Sequence, residues 1–285
     1  MKGVILAAGY GSRFLPITKS IPKEMLPLIN KPAIDFIIEE FIKSRIEDIL
    51  IITSRRKKSL EDYLDREVEL ETVFNAEGSK GKLERVRPHN ARFFFTRQQS
   101  MRGTGHALLL TKPFVGNEPF VVAYPDDLHF GGTPLAAQLI EVYRETGCSV
   151  LSTIYDPPNL DRYGVIDVDD DNLHVRDIVE KPETGKEPSR EASIGRYLYT
   201  PEIFEYLEEG LKDHSKGEYY HTPALKKMAA EGKVVYTRMK GERYDVGEPE
   251  GYLRAILKYA RTIPQLVPVI DQELVGRGQP GSLDG

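Results

Sequence analysis

The chain has 285 residues, and its 39 Lys and Arg residues against 44 Asp and Glu residues give a formal net charge of −5. Hydrophobic residues make up 40% and charged residues 29%. This composition is typical of a soluble globular protein and excludes collagen-like, disordered and coiled-coil chains. The acidic balance removes the electrostatic basis for binding nucleic acid or an anionic membrane surface.

Sequence features that would place the chain in a membrane or an oxidising compartment are missing. The longest apolar runs, such as residues 49–52, are far too short to cross a bilayer. The first residues lack the length and the cleavage site of a signal peptide. A single cysteine, Cys148, excludes internal disulfides and cysteine-based metal clusters. These features predict a cytoplasmic protein.

Strand and helix patterns alternate along the first half of the chain. A compact apolar run at residues 2–7 predicts a buried strand, and the spacing of isoleucines after Pro32 predicts a helix that begins at that proline. The alternation continues with strands at 49–52, 92–95, 119–124 and 149–155 and with helices at 106–110 and 136–143. It predicts an α/β fold with a Rossmann-like, mostly parallel mixed sheet flanked by helices.

The second half carries shorter strand patterns divided by turns and charges. It predicts a smaller added sheet and helix region that packs on the first half, with strands at 163–168, 173–179, 194–199 and 234–239 and helices at 201–209 and 223–231. The domain prediction is a nucleotide-binding core at 1–155, a sugar-phosphate-binding region at 156–262 and a partly disordered tail at 263–285. Residues 66–90 are polar without a clear period, which predicts a surface excursion. Residues 276–285 are rich in Gly and Pro, which predicts disorder.

A glycine turn follows the first predicted strand. Gly9 and Gly11 lie at the carboxyl edge of the sheet, where open α/β sheets bind ligands, and glycines let backbone N–H groups approach phosphate oxygens. The turn is not a P-loop, and Phe14 stands where a dinucleotide fingerprint has its third glycine. A Gly-x-Gly turn alone is more often a plain connection than a phosphate site.

The segment after this turn is unusually rich in cations and prolines. A helix would not tolerate these prolines, and a rigid loop that holds cations over a polyphosphate explains both features. The purely structural alternative is a surface loop that is stiffened by prolines and whose lysines face water. The residues are Arg13, Lys19 and Lys23 with Pro16, Pro22 and Pro27.

The run from Leu6 to Pro32 resembles the signature of the sugar-phosphate nucleotidyltransferases, and residues 21–28 resemble its bacterial uridylyltransferase branch in particular. Further matching blocks follow in the order of that family and extend the resemblance over about nine-tenths of the chain. They lie at residues 103–107, 125–127, 163–165, 179–182, 195–197 and 245–247.

The resemblance implies attack by a glucose 1-phosphate oxygen on the α-phosphorus of UTP, which releases pyrophosphate and forms UDP-glucose for polysaccharide biosynthesis. It also implies Mg²⁺ as the cofactor and a homodimer or homotetramer as the assembly. Such transfers need in-line positioning and cations rather than a protein nucleophile. The absence of an obvious nucleophile in this sequence is therefore consistent with the reaction.

The resemblance assigns two catalytic cations and a nucleotide-binding set. Arg13 would bind the β- and γ-phosphates, and Lys23 would lie between the phosphates of both substrates. The amide of Gln98 offers a donor and an acceptor, which suits the edge of a uracil. The complete nucleotide set is Ala8, Gly9, Gly11, Glu24, Gln98 and Gly103.

The resemblance also assigns the metal and the sugar phosphate. Asp126 ends a buried strand, where an ionised carboxylate is costly unless it is paired or bound to metal. Together with Asp245 it would hold Mg²⁺, which commonly uses one or two protein carboxylates, whereas Asp127 would cap the loop. Glu180 would take sugar hydroxyls and Lys181 the sugar phosphate. Gly164 and Gly195 would let the sugar approach the backbone.

One departure from the family pattern leaves the exact sugar open. Residues 220–223 read Tyr-His-Thr-Pro, where family members often carry Gln-Leu-Thr-Asp. A close rival is the same chemistry with dTTP or another sugar 1-phosphate. More distant rivals are a glycosyltransferase that uses a nucleotide sugar, which would have no use for Arg13 and Lys23, and a nucleotide sensor, which would be expected to lose Lys23, Asp126 or Asp245.

Overall fold

A computed structural model describes residues 1–169 and 173–275 of the chain. The predicted disorder at 276–285 lies outside these described residues. Within them, no helix combines the length and the apolar character needed to cross a membrane.

The strands follow the chain order that the apolar runs predict, with short additions. They are β1 (Lys2–Leu6), β2 (Pro27–Leu28), β3 (Lys31–Pro32), β4 (Asp48–Thr53), β5 (Arg92–Arg97), β6 (Phe120–Ala123), β7 (Asp127–Phe130), β8 (Ser149–Tyr155), β9 (Gly164–Val168), β10 (Val175–Glu180), β11 (Glu191–Tyr199), β12 (Val234–Arg238) and β13 (Glu242–Asp245).

The helices alternate with these strands. They are α1 (Ala33–Lys43), α2 (Lys58–Leu64), α3 (Val68–Ala76), α4 (Lys80–Arg85), α5 (Thr104–Leu109), α6 (Lys112–Val115), α7 (Leu135–Thr146), α8 (Ile203–Asp213), α9 (Thr222–Ala230), α10 (Pro249–Ala260) and α11 (Val267–Val275). Short 3₁₀ turns at Ser12–Phe14, Ile17–Lys19 and Lys23–Met25 form the proline-rich segment.

A mixed sheet flanked by helices forms the centre of the molecule, as the alternation predicts. Strands β5, β4, β1 and β6 lie side by side and run parallel, with Val4 of β1 between Leu50 and Val122. Val4 and Ile5 point to opposite faces and are both fully buried, because helices cover both faces. The glycine turn therefore leaves β1 at the carboxyl edge of the parallel strands.

The added strands that the sequence predicts in the second half are continuous with this sheet. β11 pairs antiparallel with β6 over residues 196–199 and also joins β8 and β9. A register shift within β11, between Ser193 and Tyr197, lets this one long strand pair with β8 at both ends. The predicted domain limits near residue 155 remain a prediction.

Several elements escape the sequence patterns. Residues 66–90 contain α3 and α4, whose residues are all at least partly exposed, so no buried stripe marks them as helices. Within the predicted tail at 263–285, the described part contains α11, which the sequence patterns did not indicate. β7 and β13 are four residues each, too short for alternation to reveal them, yet they pair with each other beside the sheet.

A buried ion pair joins α1 to the sheet. Arg196 of β11 is 0% exposed and contacts Glu40 of α1 through two hydrogen bonds of 2.9 and 3.0 Å. Its guanidinium also donates to the carbonyls of Asp127 and Gly195, at 3.0 and 3.1 Å. Glu40 in turn accepts the backbone N–H of Ala136 at the start of α7. One charged pair thus fixes two helices, β11 and the start of β7.

Removing one partner of this pair should be costly, because the other charge stays buried. We expect Arg196→Met to lower the free energy of unfolding by about 3–5 kcal/mol in a urea titration. The double variant Arg196→Met/Glu40→Met should recover part of the loss, since it leaves no unpaired charge. A single variant within about 1 kcal/mol of the original protein would contradict this role.

Candidate active site

Lys23 and Asp126 meet at the carboxyl edge of the sheet. The Nζ atom of Lys23 lies 2.5 Å from Oδ2 of Asp126, and both side chains are largely buried. Burial favours the neutral form of Lys23, but the charges of Asp126 and Glu24 prevail and hold its pKa above the usual value. Burial likewise opposes ionisation of Asp126, but Lys23 keeps its pKa below the usual value. Both groups are therefore charged at neutral pH.

The pairing of β7 with β13 brings Asp245 to the same place. Asp245 stands opposite Asp127 in this ladder, and the N–H of Val246 donates to the carbonyl of Asp126 at 2.7 Å. A Cβ atom added to Gly247 would lie 2.5 Å from Oδ2 of Asp126 and 3.0 Å from Oδ1 of Asp245. The structure therefore brings the two predicted metal carboxylates together above one glycine.

Asp127 does not simply cap a loop, as the sequence predicts for it. Its Oδ2 accepts the N–H of Gly195 at 2.6 Å, and its Oδ1 accepts Nε of Arg243 at 2.7 Å. Arg243 also lies 3.7 Å from Asp245 and donates to the hydroxyl of Tyr163 at 3.2 Å. Burial raises the pKa of Asp245, with Asp126 and Asp127 adding to the effect and Arg243 opposing it.

A cavity of about 260 Å³ brings together five of the six predicted nucleotide residues: Ala8, Gly9, Gly11, Gln98 and Gly103. Gln98 is 5% exposed, and its Nε2 donates both to the carbonyl of Gly103 and to Nδ1 of His106, each at 3.0 Å. Only its carbonyl oxygen remains for a ligand. Gly103 has a φ of +92° and packs against the backbone of Tyr219, where any Cβ would clash.

Glu24 does not line this cavity. Its side chain is fully buried, and Nζ of Lys57 contacts its two carboxylate oxygens at 2.6 and 2.8 Å. Burial lowers the pKa of Lys57, and the charge of Glu24 opposes that shift. The contact with Lys57 anchors Glu24 and the loop next to Lys23. A contact of Glu24 with the nucleoside stays a prediction. The run of basic residues at 55–58 gave no sign of this pair.

A second cavity has a volume of about 350 Å³. Three of the four predicted sugar-phosphate residues line it: Gly164, Glu180 and Gly195. Asp126, Asp245 and Arg13 line it as well. Lys181 is exposed and lies outside this wall, and its backbone has a φ of +48°.

Arg13 stands at the rim of the second cavity. Its side chain is 59% exposed, and its Nε lies 3.3 Å from Oε1 of Glu248. Arg162 contacts the same oxygen at 2.6 Å. Arg13 is thus exposed and held by a single, partly exposed carboxylate, a weak contact that a polyphosphate could replace.

Sequence reasoning missed a group of polar residues that completes the second cavity. His221 is buried there, with Nδ1 2.9 Å from Oγ1 of Thr104, and burial lowers its pKa to about 4. Thr104 lines both cavities. The only signal was the departure from the family pattern at 220–223. Among the described residues, no cluster of three or more His, Cys, Asp or Glu could hold a metal ion without a further ligand.

Comparison with known proteins places the chain in context. The model of the nucleotidyl transferase family matches residues 2–262. A UTP–glucose-1-phosphate uridylyltransferase of Staphylococcus epidermidis is 43% identical over 272 residues, which is 93% of this chain and 94% of that protein.

Solved structures show the same similarity in three dimensions. The UTP-bound UGPase of Acinetobacter baumannii has a TM-score of 0.86 and 31% identity, covering 96% of this chain and 98% of that one. A UDP-glucose pyrophosphorylase complexed with UDP-glucose has a TM-score of 0.79 and 37% identity, covering 92% and 98%.

Gly247→Ala tests whether the space between the two carboxylates matters. The added methyl group would displace Asp126 and Asp245, so we expect turnover to fall at least about tenfold while the circular dichroism spectrum stays unchanged. Gly132→Ala is the matched control, because a Cβ there meets no atom within 4 Å. Equal turnover of the two variants would show that the carboxylates need no such space.

His221 should make stability depend on pH. Its pKa is about 4 in the folded protein against 6.5 in the unfolded chain, so the unfolded chain binds the proton first as pH falls. We expect its contribution to the free energy of unfolding to be complete above pH 6.5 and to decline toward pH 4. Urea titrations across this range should show a steeper decline for the original protein than for His221→Asn; parallel curves would contradict the burial of a neutral imidazole.

Proposed function

The chain belongs to the nucleotidyl transferase family, and from that membership we propose that it forms UDP-glucose and pyrophosphate from UTP and glucose 1-phosphate. The observation that carries the proposal is the Lys23–Asp126 contact, with Asp245 beside it, at the wall of the second cavity and next to Gly11, which lines the first. The names of the relatives supply the two substrates.

The first cavity is the proposed site of UTP. The backbone of Ala8 to Gly11 receives the nucleotide, with open space at Gly9, where a Cβ would meet nothing within 4 Å. Gln98 presents its carbonyl oxygen to the imide N–H of the uracil, because its amide hydrogens are already bound. Pyrimidine bases that carry this imide fit the site, whereas cytosine has no such donor.

The two catalytic cations act on the phosphates. Lys23 is charged and buried, so it stabilises the charge that gathers on the α-phosphoryl group in the transition state without reorganisation. Arg13 exchanges Glu248 for the β- and γ-phosphates and accompanies the departing pyrophosphate. Lys181 reaches the sugar phosphate by turning inward from the exposed edge of the second cavity.

Asp126 and Asp245 fit Mg²⁺, because their oxygens converge on one point and are hard, anionic ligands of the kind that this ion prefers. They would hold the ion together with phosphate oxygens. When bound, Mg²⁺ neutralises the phosphate charges that would otherwise repel the attacking oxygen. The attack itself needs only that this chain aligns the two substrates in line.

The second cavity is the proposed site of glucose 1-phosphate. Glu180 accepts hydrogen bonds from sugar hydroxyls, and Gly164 and Gly195 leave room for the ring next to the backbone. We further propose that the enzyme works in the cytoplasm as a homodimer or homotetramer and supplies UDP-glucose to polysaccharide biosynthesis.

An assay of pyrophosphate release tests the proposal directly. We expect the highest rate with UTP, glucose 1-phosphate and Mg²⁺, and lower rates with dTTP, other triphosphates or other sugar 1-phosphates. Lys23→Ala and Asp126→Asn should each lower turnover about a hundredfold or more, by analogy with the loss of preorganised charge elsewhere.

Lys43→Ala on the exposed face of α1 is the control for removing a lysine, and it should leave turnover unchanged. If the rate with glucose 1-phosphate is highest with dTTP, then dTTP replaces UTP as the proposed substrate. No release with any pair of substrates would overturn it.

A further inference from the structure

His221 has one ring nitrogen without a partner in the second cavity. The residue precedes α9 and is 7% exposed, and it lines the same wall as Glu180 and Gly164. The hydrogen bonds of its ring to the described residues all involve Nδ1. Among the described residues, the hydroxyl of Tyr199 is the one fully buried side-chain polar atom without a hydrogen-bond partner. Nε2 of His221, which has no partner either, is therefore not fully buried and remains accessible from the cavity.

The hydrogen bonds around His221 fit a neutral ring that accepts at Nδ1. Oγ1 of Thr104 accepts the backbone N–H of His221 at 3.3 Å, which leaves its hydroxyl hydrogen available to donate. Nδ1 of His221 lies 2.9 Å from the same oxygen and 3.4 Å from the hydroxyl of Tyr124, so two hydroxyl groups can donate to it. A neutral imidazole that accepts at Nδ1 carries its hydrogen at Nε2.

The ring cannot turn away easily from this orientation. Tyr197 packs against it with the ring centroids 5.2 Å apart, and Tyr124 lies perpendicular to it at 6.3 Å. Burial keeps the imidazole neutral by lowering its pKa to about 4. The cavity therefore contains a fixed, uncharged N–H donor.

We propose that Nε2 of His221 donates a hydrogen bond to one hydroxyl of the sugar and thereby helps to select the sugar 1-phosphate. This inference rests on the proposed function. Thr104 is a positioning residue that acts through His221, because its hydroxyl fixes the tautomer.

The chemistry favours a sugar hydroxyl as the ligand. Glu180 offers an acceptor in the same cavity and His221 a donor, so together they can read the direction of hydroxyl groups on a ring. A site built to bond a hydroxyl discriminates against analogues that lack it, because its own polar group is then left unpaired. Neutral N–H donors suit hydroxyl oxygens, whereas a phosphate would be served better by the cations nearby.

Substrate deletion combined with residue deletion tests the contact. Initial rates are measured for the original protein and for His221→Leu with glucose 1-phosphate and with its 2-, 3-, 4- and 6-deoxy analogues. We expect His221→Leu to raise KM for glucose 1-phosphate about tenfold and to leave KM for UTP unchanged. With the original protein, one deoxy analogue should have a KM that is raised by a similar factor over that of glucose 1-phosphate. With His221→Leu, the same analogue should have almost the same KM as glucose 1-phosphate.

Three further substitutions test whether the effect is a general structural defect. His221→Asn keeps an N–H donor and should recover part of the affinity for glucose 1-phosphate. Thr104→Val should raise KM for glucose 1-phosphate in the original protein but not in the His221→Leu background, whereas Thr104→Ser should behave like the original.

The outcomes separate this inference from the proposed function. If the original protein is active, and the effects on KM of removing a hydroxyl and of replacing His221 are additive for every hydroxyl, the contact does not exist. A rise in KM for UTP equal to that for glucose 1-phosphate would likewise overturn it. An original protein without activity on UTP and glucose 1-phosphate would instead overturn the proposed function.

Discussion

The contact between Arg196 and Glu40 lies beneath the whole site. Arg196 is fully buried, so its charge is tolerable only because Glu40 and two carbonyls surround it. Those carbonyls belong to Asp127 and Gly195, one from each half of the chain. The pair therefore joins the start of β7, next to Asp126, to β11, which carries Gly195.

Next to this pair, several carboxylates lie close together in a partly buried cleft, where each depends on its hydrogen-bond and ion-pair partners. Asp126 has Lys23, and Asp127 has Arg243 and the N–H of Gly195. Asp245 accepts the N–H of Gly247 and has only a distant contact with a cation, Arg243, while burial raises its pKa. It is thus the carboxylate with the most to gain from a cation, which fits the proposed place of Mg²⁺.

The two cavities share a wall. Thr104 lines both, and its hydroxyl contacts His221, which lines the second. Gly103, just before it, lines the first cavity and packs on the backbone of Tyr219, two residues from His221. The start of α5 and the start of α9 therefore fix each other, and the wall of the first cavity cannot move independently of the wall of the second.

Local sequence was enough for the parallel strands, the glycine turn, the basic loop and the family, because apolar runs and a specific motif encode each of them in a few adjacent residues. Long-range pairing decided the rest. The family resemblance alone placed Asp245 beside Asp126, and no local pattern indicated that β13 pairs with β7 to bring them together. Nor did a local pattern indicate that Lys57 contacts both oxygens of Glu24 or that Arg243 binds Asp127. Such contacts join residues far apart in the chain, and only the folded sheet brings them within bonding distance.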